Sequence, residues 1–106
     1  MRAGIRSEHW NDANGNPAGG NTFGNGFAIG WQNGPLGRGA ERKEPNGAFV
    51  ADVIAAAADR LRYYQNSRFA CERNAQALAH LEAALDELDS RTKEREVRSV
   101  EGTHQE

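Results

Sequence analysis

The chain is short of almost everything a self-sufficient enzyme domain uses. It has a single cysteine among 106 residues, which excludes an internal disulfide. No stretch of 18 apolar residues exists, so a membrane-spanning helix is not expected. The opening MRAGIRSEHWNDANGNP has no apolar run of the kind a secretory leader carries. Charge of one sign is scarce too: 13 basic against 15 acidic residues leave a formal net charge of −2, with no global field to recruit duplex nucleic acid. Apolar residues are few, with a mean hydropathy of −0.80, so one small core is the most that can form. A protein of a reducing compartment, the cytoplasm, is the expectation.

Catalytic equipment is equally thin. His9, His80 and His104 show no spacing with one another or with Cys71 that suits a metal, and neither a metal site nor a cofactor is expected. Cys71 reads as a small core residue, and His80 as a residue flanking the Leu78/Leu81 stripe. GPLGRG, residues 34–39, has the glycines of a phosphate loop but neither the Lys-Ser/Thr ending nor an immediately following helix, and reads as a turn. No catalytic residue is assigned, and the chain is not expected to be an enzyme.

What is present divides into segments. Residues 1–46 hold ten of the twelve glycines, all three prolines and both tryptophans, which disfavours helix. Residues 1–22 have little to bury and read as a flexible arm. Residues 23–46 read as a Gly-rich β element: in GFAIGWQ, Phe27, Ile29 and Trp31 alternate with small residues, predicting one strand with a partner around 34–39. Asn-Gly pairs at Asn14, Asn25, Asn33 and Asn46 mark turns.

From Asn46, the expected N-cap, the period changes to that of a helix. Val50, Val53, Ile54, Ala57, Leu61 and Tyr64 predict one face of a helix over about 47–65. After the break Gln65-Asn66-Ser67, with Ser67 as N-cap, a second helix over about 68–91 has the stripe Ala70, Asn74, Ala77, Leu78, Leu81, Leu85 and Leu88. The short break predicts an antiparallel αα-hairpin over 47–92, followed by a charged tail, 93–106. The fold class expected is mainly α: a two-helix hairpin with a small Gly-rich N-terminal β element. Two helices cannot enclose a core alone, and the alanine-rich faces permit close approach, so homo-oligomerisation through the helices is expected.

One cluster stands out at the hairpin tip: Arg60, Arg62, Tyr63, Tyr64, Arg68, Phe69, Arg73 and Asn74. Guanidinium forks grip phosphates, aromatic rings stack on bases, and helix N-terminal N–H groups favour anions, which is the equipment for a small nucleotide. The same residues would also arise on a solvated surface where the arginines pair with Asp59, Glu72 and Glu41 and the aromatics cap the core.

The stretch SRFACERNAQALAHLEAALDELDSRT adds a resemblance. It is similar to small bacteriophage proteins in which a helix opens Ser/Cys-Arg-Glu-Asn/Arg and continues Ala-Leu-x-x-Leu-Glu-x-Ala-Leu. With DVIAAAADRLRYYQ, WQNGPLGRG, PNGAF and REVRSVEGTH the likeness covers about residues 26–104. This set resembles the hairpin-domain family of phage anti-CBASS and anti-Thoeris proteins, which are oligomeric sponges for cyclic nucleotide immune signals. The resemblance implies sequestration without turnover of a cyclic di- or trinucleotide, or a cyclic ADP-ribose relative, in the bacterial host cytoplasm. It also implies a homo-oligomer, a hexamer in form. Arg60, Arg68 and Arg73 would then hold phosphates, Tyr64 and Phe69 would stack on bases, and Asn74 would read a base edge or ribose hydroxyl. One departure is visible: Cys71-Glu72-Arg73-Asn74 inverts the family's Arg-Glu order, which turns each charge by about 100° around the helix. The alternative function is a helical interaction protein that docks on a host or phage protein through the N-terminal arm or the tail and takes no small ligand.

Overall fold

The computed structural model describes residues 4–34, 36 and 44–97, with side chains through residue 94. It contains three strands, β1 (Arg6–Asn11), β2 (Pro17–Gly24) and β3 (Phe27–Trp31), and two helices, α1 (Val50–Gln65) and α2 (Glu72–Val97). The strands form one antiparallel sheet in the order β1-β2-β3. The chain divides into two compact units, one holding the sheet and one formed by Val50–Val97. The fold is therefore α+β, not mainly α as the sequence suggested.

The correction comes from the first 24 residues. The stretch expected to be an arm without structure contains β1 and most of β2, and β2 pairs with β3. Of the strand partner expected around 34–39, residues 35 and 37–39 lie outside the described residues. All six residues of β1 are exposed, so apolar alternation could not have revealed the strand. Backbone pairing and close approach carry it instead. A Cβ on Gly20 would run into the carbonyl oxygen of Glu8, so only glycine lets β2 come up to β1 there. Just beyond, the register shifts between His9 and Asn11. Asp12 then ties the β1–β2 connection, its carboxylate accepting the N–H groups of Asn14 at 2.9 Å and Asn16 at 3.0 Å. Within the sheet, Trp31 donates its indole N–H to Thr22 Oγ1 at 2.8 Å, which satisfies the ring's polar edge while Ile29 and Trp31 are half-buried.

Asn46 does not cap a helix. Its side chain accepts the Asn33 N–H at 2.8 Å and donates to the Asn33 carbonyl at 3.2 Å. Gln32 completes the lock, its Oε1 accepting the N–H groups of Asn46 at 2.8 Å and Gly47 at 3.2 Å. This brings Ala48 alongside β3 as a parallel bridge to Trp31. Its hydrogen bonds run from Gln32 N to Ala48 O, 2.9 Å, and from Ala48 N to Gly30 O, 2.7 Å.

In the helical unit α1 and α2 pack against each other as the expected hairpin. Of the predicted stripe of α1, Val53, Ile54, Leu61 and Tyr64 are half-buried, whereas Val50 and Ala57 are exposed and Ala58, beside Ala57, is the fully buried residue. On α2, Asn74, Leu78, Leu81, Leu85 and Leu88 are half-buried and Ala77 is exposed, while Ala70, predicted for the same stripe, is exposed ahead of the helix. Among the described residues only Leu36 and Ala58 are buried apolar side chains. No helix among them is long and apolar enough to cross a membrane.

Candidate functional site

The elbow between the helices is built from short-range polar bonds. Ser67, expected to cap the second helix, instead donates its hydroxyl to the Tyr64 carbonyl at 2.6 Å and accepts the Phe69 N–H at 3.1 Å, closing a turn. Helix α2 consequently starts at Glu72, about one turn later than predicted. Cys71 takes the cap position: its Sγ accepts the Asn74 N–H at 3.4 Å. The thiol is exposed, not a core group as the sequence suggested. Gln65 grips Cys71 from the end of α1, donating to its carbonyl at 3.1 Å and accepting its N–H at 3.0 Å.

On this elbow the predicted residues fall into two contact groups. Arg60 lays its guanidinium over two rings, 4.9 Å from the Tyr63 centroid and 5.1 Å from that of Tyr64. The spacings i, i+3 and i, i+4 place all three on one helix face. The tyrosines meet edge to face, centroids 5.9 Å apart with planes at 62°. The second group is Arg68 over Phe69, at 4.9 Å. No hydrogen bond or ring contact among the described residues links the two groups. Arg73 is exposed in the first turn of α2, and Asn74 is half-buried in line with Leu78 and Leu81.

The alternative of a paired, solvated surface can be weighed directly. Arg62 pairs with Glu82 at 3.3 Å. Arg60, Arg68 and Arg73 have no ion-pair partner among the described residues, and Glu41 lies outside them. Two of the three aromatics do not cap a core: Tyr63 is 61% exposed and Phe69 62%. Tyr64, named from the sequence with Phe69 as a stacking residue, is half-buried, and Tyr63 offers the freer ring. The i, i+3 spacing of Arg60 and Tyr63 was the available signal for it. Among the described residues no group of three or more His, Cys, Asp or Glu could hold a metal.

A helical hairpin whose tip presents, on aromatic rings, guanidiniums without an ion-pair partner among the described residues is a module suited to flat anionic ligands. The family model described as the Acb2/Tad1 hairpin domain matches residues 25–93, from the β2–β3 turn through most of α2, and the chain belongs to this family. It is also 53% identical over 60 residues to Thoeris anti-defense 1 of Bacillus phage SBSphiJ7, a match covering 57% of this chain and 42% of that protein. The chain thus spans less than half the length of that curated relative. All six residues predicted for the site fall inside the segment that matches the family.

Proposed function

We propose that this protein is a phage anti-defence sponge: it binds a cyclic nucleotide immune signal at the hairpin tip and withholds it from the host without turning it over. The observation that carries the reading is Arg60 over Tyr63 and Tyr64, a guanidinium with no ion-pair partner among the described residues, beside an exposed ring. Family membership and the anti-defence name of the Bacillus phage relative support the same reading. Arg60, Arg68 and Arg73 hold phosphates, Tyr64 and Phe69 stack on bases together with Tyr63, and Asn74 reads a polar edge. The site of action is the host cytoplasm during infection.

The active form is a homo-oligomer. Among the described residues only Leu36 and Ala58 are buried apolar side chains, the leucines of α2 are only half-buried, and Val50 and Phe49 are exposed; further copies cover such open apolar surface.

The test is to incubate the purified protein with cyclic di- and trinucleotides and cyclic ADP-ribose isomers, then measure thermal stabilisation and recover ligand after heat release. A raised Tm with intact ligand recovered is expected. Unchanged Tm with every compound, together with a host protein that co-purifies, rejects the sponge in favour of a protein-docking role. Chemically altered ligand rejects sequestration without turnover.

A further inference from the structure

Asparagine followed by glycine is the dipeptide most prone to spontaneous loss of its side-chain amide, because no side chain hinders ring closure, and this chain has four such pairs. The fold treats them unequally. Asn46 uses both its side-chain oxygen and nitrogen on Asn33, and the Gly47 N–H that would have to attack is held by Gln32 at 3.2 Å. Gly47 is also pressed against Trp31, a Cβ there falling 2.6 Å from the Trp31 carbonyl. At Asn14 the reacting nitrogen, that of Gly15, donates to the Asp12 carbonyl at 3.0 Å, and the Asn14 N–H is fixed by the Asp12 carboxylate. At Asn33 the side-chain amide and the Gly34 N–H are without a hydrogen bond among the described residues and the space beside Gly34 is open, but the backbone is held, the Asn33 N–H and carbonyl both bonding to Asn46.

Asn25 differs. It forms with Gly26 the two-residue turn between β2 and β3, bounded by the Gly24–Phe27 pair. Both residues are exposed, and neither the Asn25 amide nor the Gly26 N–H has a hydrogen bond among the described residues. The space beside Gly26 is open, with nothing within 4 Å of a Cβ built there.

We propose that Asn25 is a site of spontaneous deamidation and that the Gln32/Asn46 lock protects Asn46 from the same chemistry. The Gly26 nitrogen gives up its proton to base and attacks Asn25 Cγ. The Cγ–Nδ2 bond breaks, ammonia leaves, and a five-membered imide remains. Water opens the imide at either carbonyl, yielding aspartate or isoaspartate. One water is consumed, one ammonia is released, and no electron is transferred. The product adds a negative charge at the hairpin tip of the sheet. Isoaspartate also lengthens the turn backbone by one carbon, which works against the pairing of Gly24 with Phe27.

The experiment is to hold the full-length protein in mildly alkaline buffer, folded or in concentrated urea, and follow conversion at each Asn-Gly pair by peptide mapping with isoaspartate detection. In the folded protein Asn25 should convert several-fold faster than the other three, whereas in urea all four should proceed at similar rates. In Gln32→Ala, Asn46 should speed up markedly while Asn25 stays as it was. Conversion at Asn14, Asn33 or Asn46 that keeps pace with Asn25 in the folded protein overturns the proposal, as does the same ranking in urea. An unchanged Asn46 rate in Gln32→Ala overturns the protective role of the lock.

Discussion

Gln65 and Cys71 close a ring across the elbow: the Gln65 amide donates to the Cys71 carbonyl at 3.1 Å and accepts the Cys71 N–H at 3.0 Å. One side chain thus satisfies both polar groups of a residue that sits just ahead of α2. Gln65→Ala removes both bonds, and because the site is exposed water replaces part of what is lost. A destabilisation of about 1 kcal/mol is expected, read as a lowered urea midpoint. Cys71→Ser should match the parent protein, since the ring uses only backbone atoms of residue 71 and serine is a good cap. Equal midpoints for Gln65→Ala and the parent would remove the ring from the account of how the elbow is held.

Gly47 is needed for space. A Cβ there would lie 2.6 Å from both the carbonyl carbon and oxygen of Trp31, against backbone that cannot turn aside. Gly47→Ala should therefore break the Trp31–Ala48 bridge and loosen the Gln32/Asn46 lock, at a cost of about 1–3 kcal/mol. Gly30→Ala is the matched control, because its Cβ would meet only Asn21 Oδ1, at 3.8 Å. Near-UV circular dichroism of the tryptophans should change for the first and stay put for the second.

The helical half was legible in the sequence because its signal is a period of apolar residues, and burying that stripe is also what forms the helices. The sheet was half legible. Strand β3 shows the period of two at Phe27, Ile29 and Trp31, but RSEHWN and PAGGNTFG hold their places by backbone pairing and by Gly20's lack of a side chain. Neither leaves a hydrophobic trace. Ser67 and Asn46 are good capping residues by type, yet each is used elsewhere: Ser67 in the elbow turn, and Asn46 on Asn33. A cap preference says what a residue can accept and not which N–H lies within reach. At the site, Arg60 with Tyr64 and Arg68 with Phe69 were readable as neighbours in the chain. Tyr63 as the more exposed ring was readable as well, since it stands i, i+3 from Arg60 and off the apolar stripe that holds Tyr64.

The Arg62–Glu82 pair joins α1 to α2 at 3.3 Å with both side chains about half exposed. Water and salt screen such a pair, so Glu82→Ala should cost no more than about 0.5 kcal/mol. The Tm of the parent protein should hardly move between low and moderate salt if this pair is the electrostatic link of the hairpin. A large salt dependence would mean that charges elsewhere stabilise the fold.

In the proposed site Arg60 would have two roles that substitutions can separate. Its positive charge would attract a phosphate, and its flat guanidinium lies against Tyr63 and Tyr64 at 4.9 and 5.1 Å. Arg60→Lys keeps the charge and loses the flat fork, so binding of a stabilising cyclic nucleotide should weaken less than in Arg60→Ala, where both are gone. Tyr63→Ala should cost about 1–3 kcal/mol of binding if a base stacks on that ring, whereas Tyr63→Phe, which keeps the ring, should bind as the parent does. Tyr64→Ala is expected to lower stability as well as binding, since Tyr64 is half-buried in the inward stripe of α1. Calorimetric titration of each variant alongside its own melting curve distinguishes these outcomes. If Tyr63→Ala binds as tightly as Tyr63→Phe, the ring is not a stacking platform, and the unpaired arginines alone must hold the ligand.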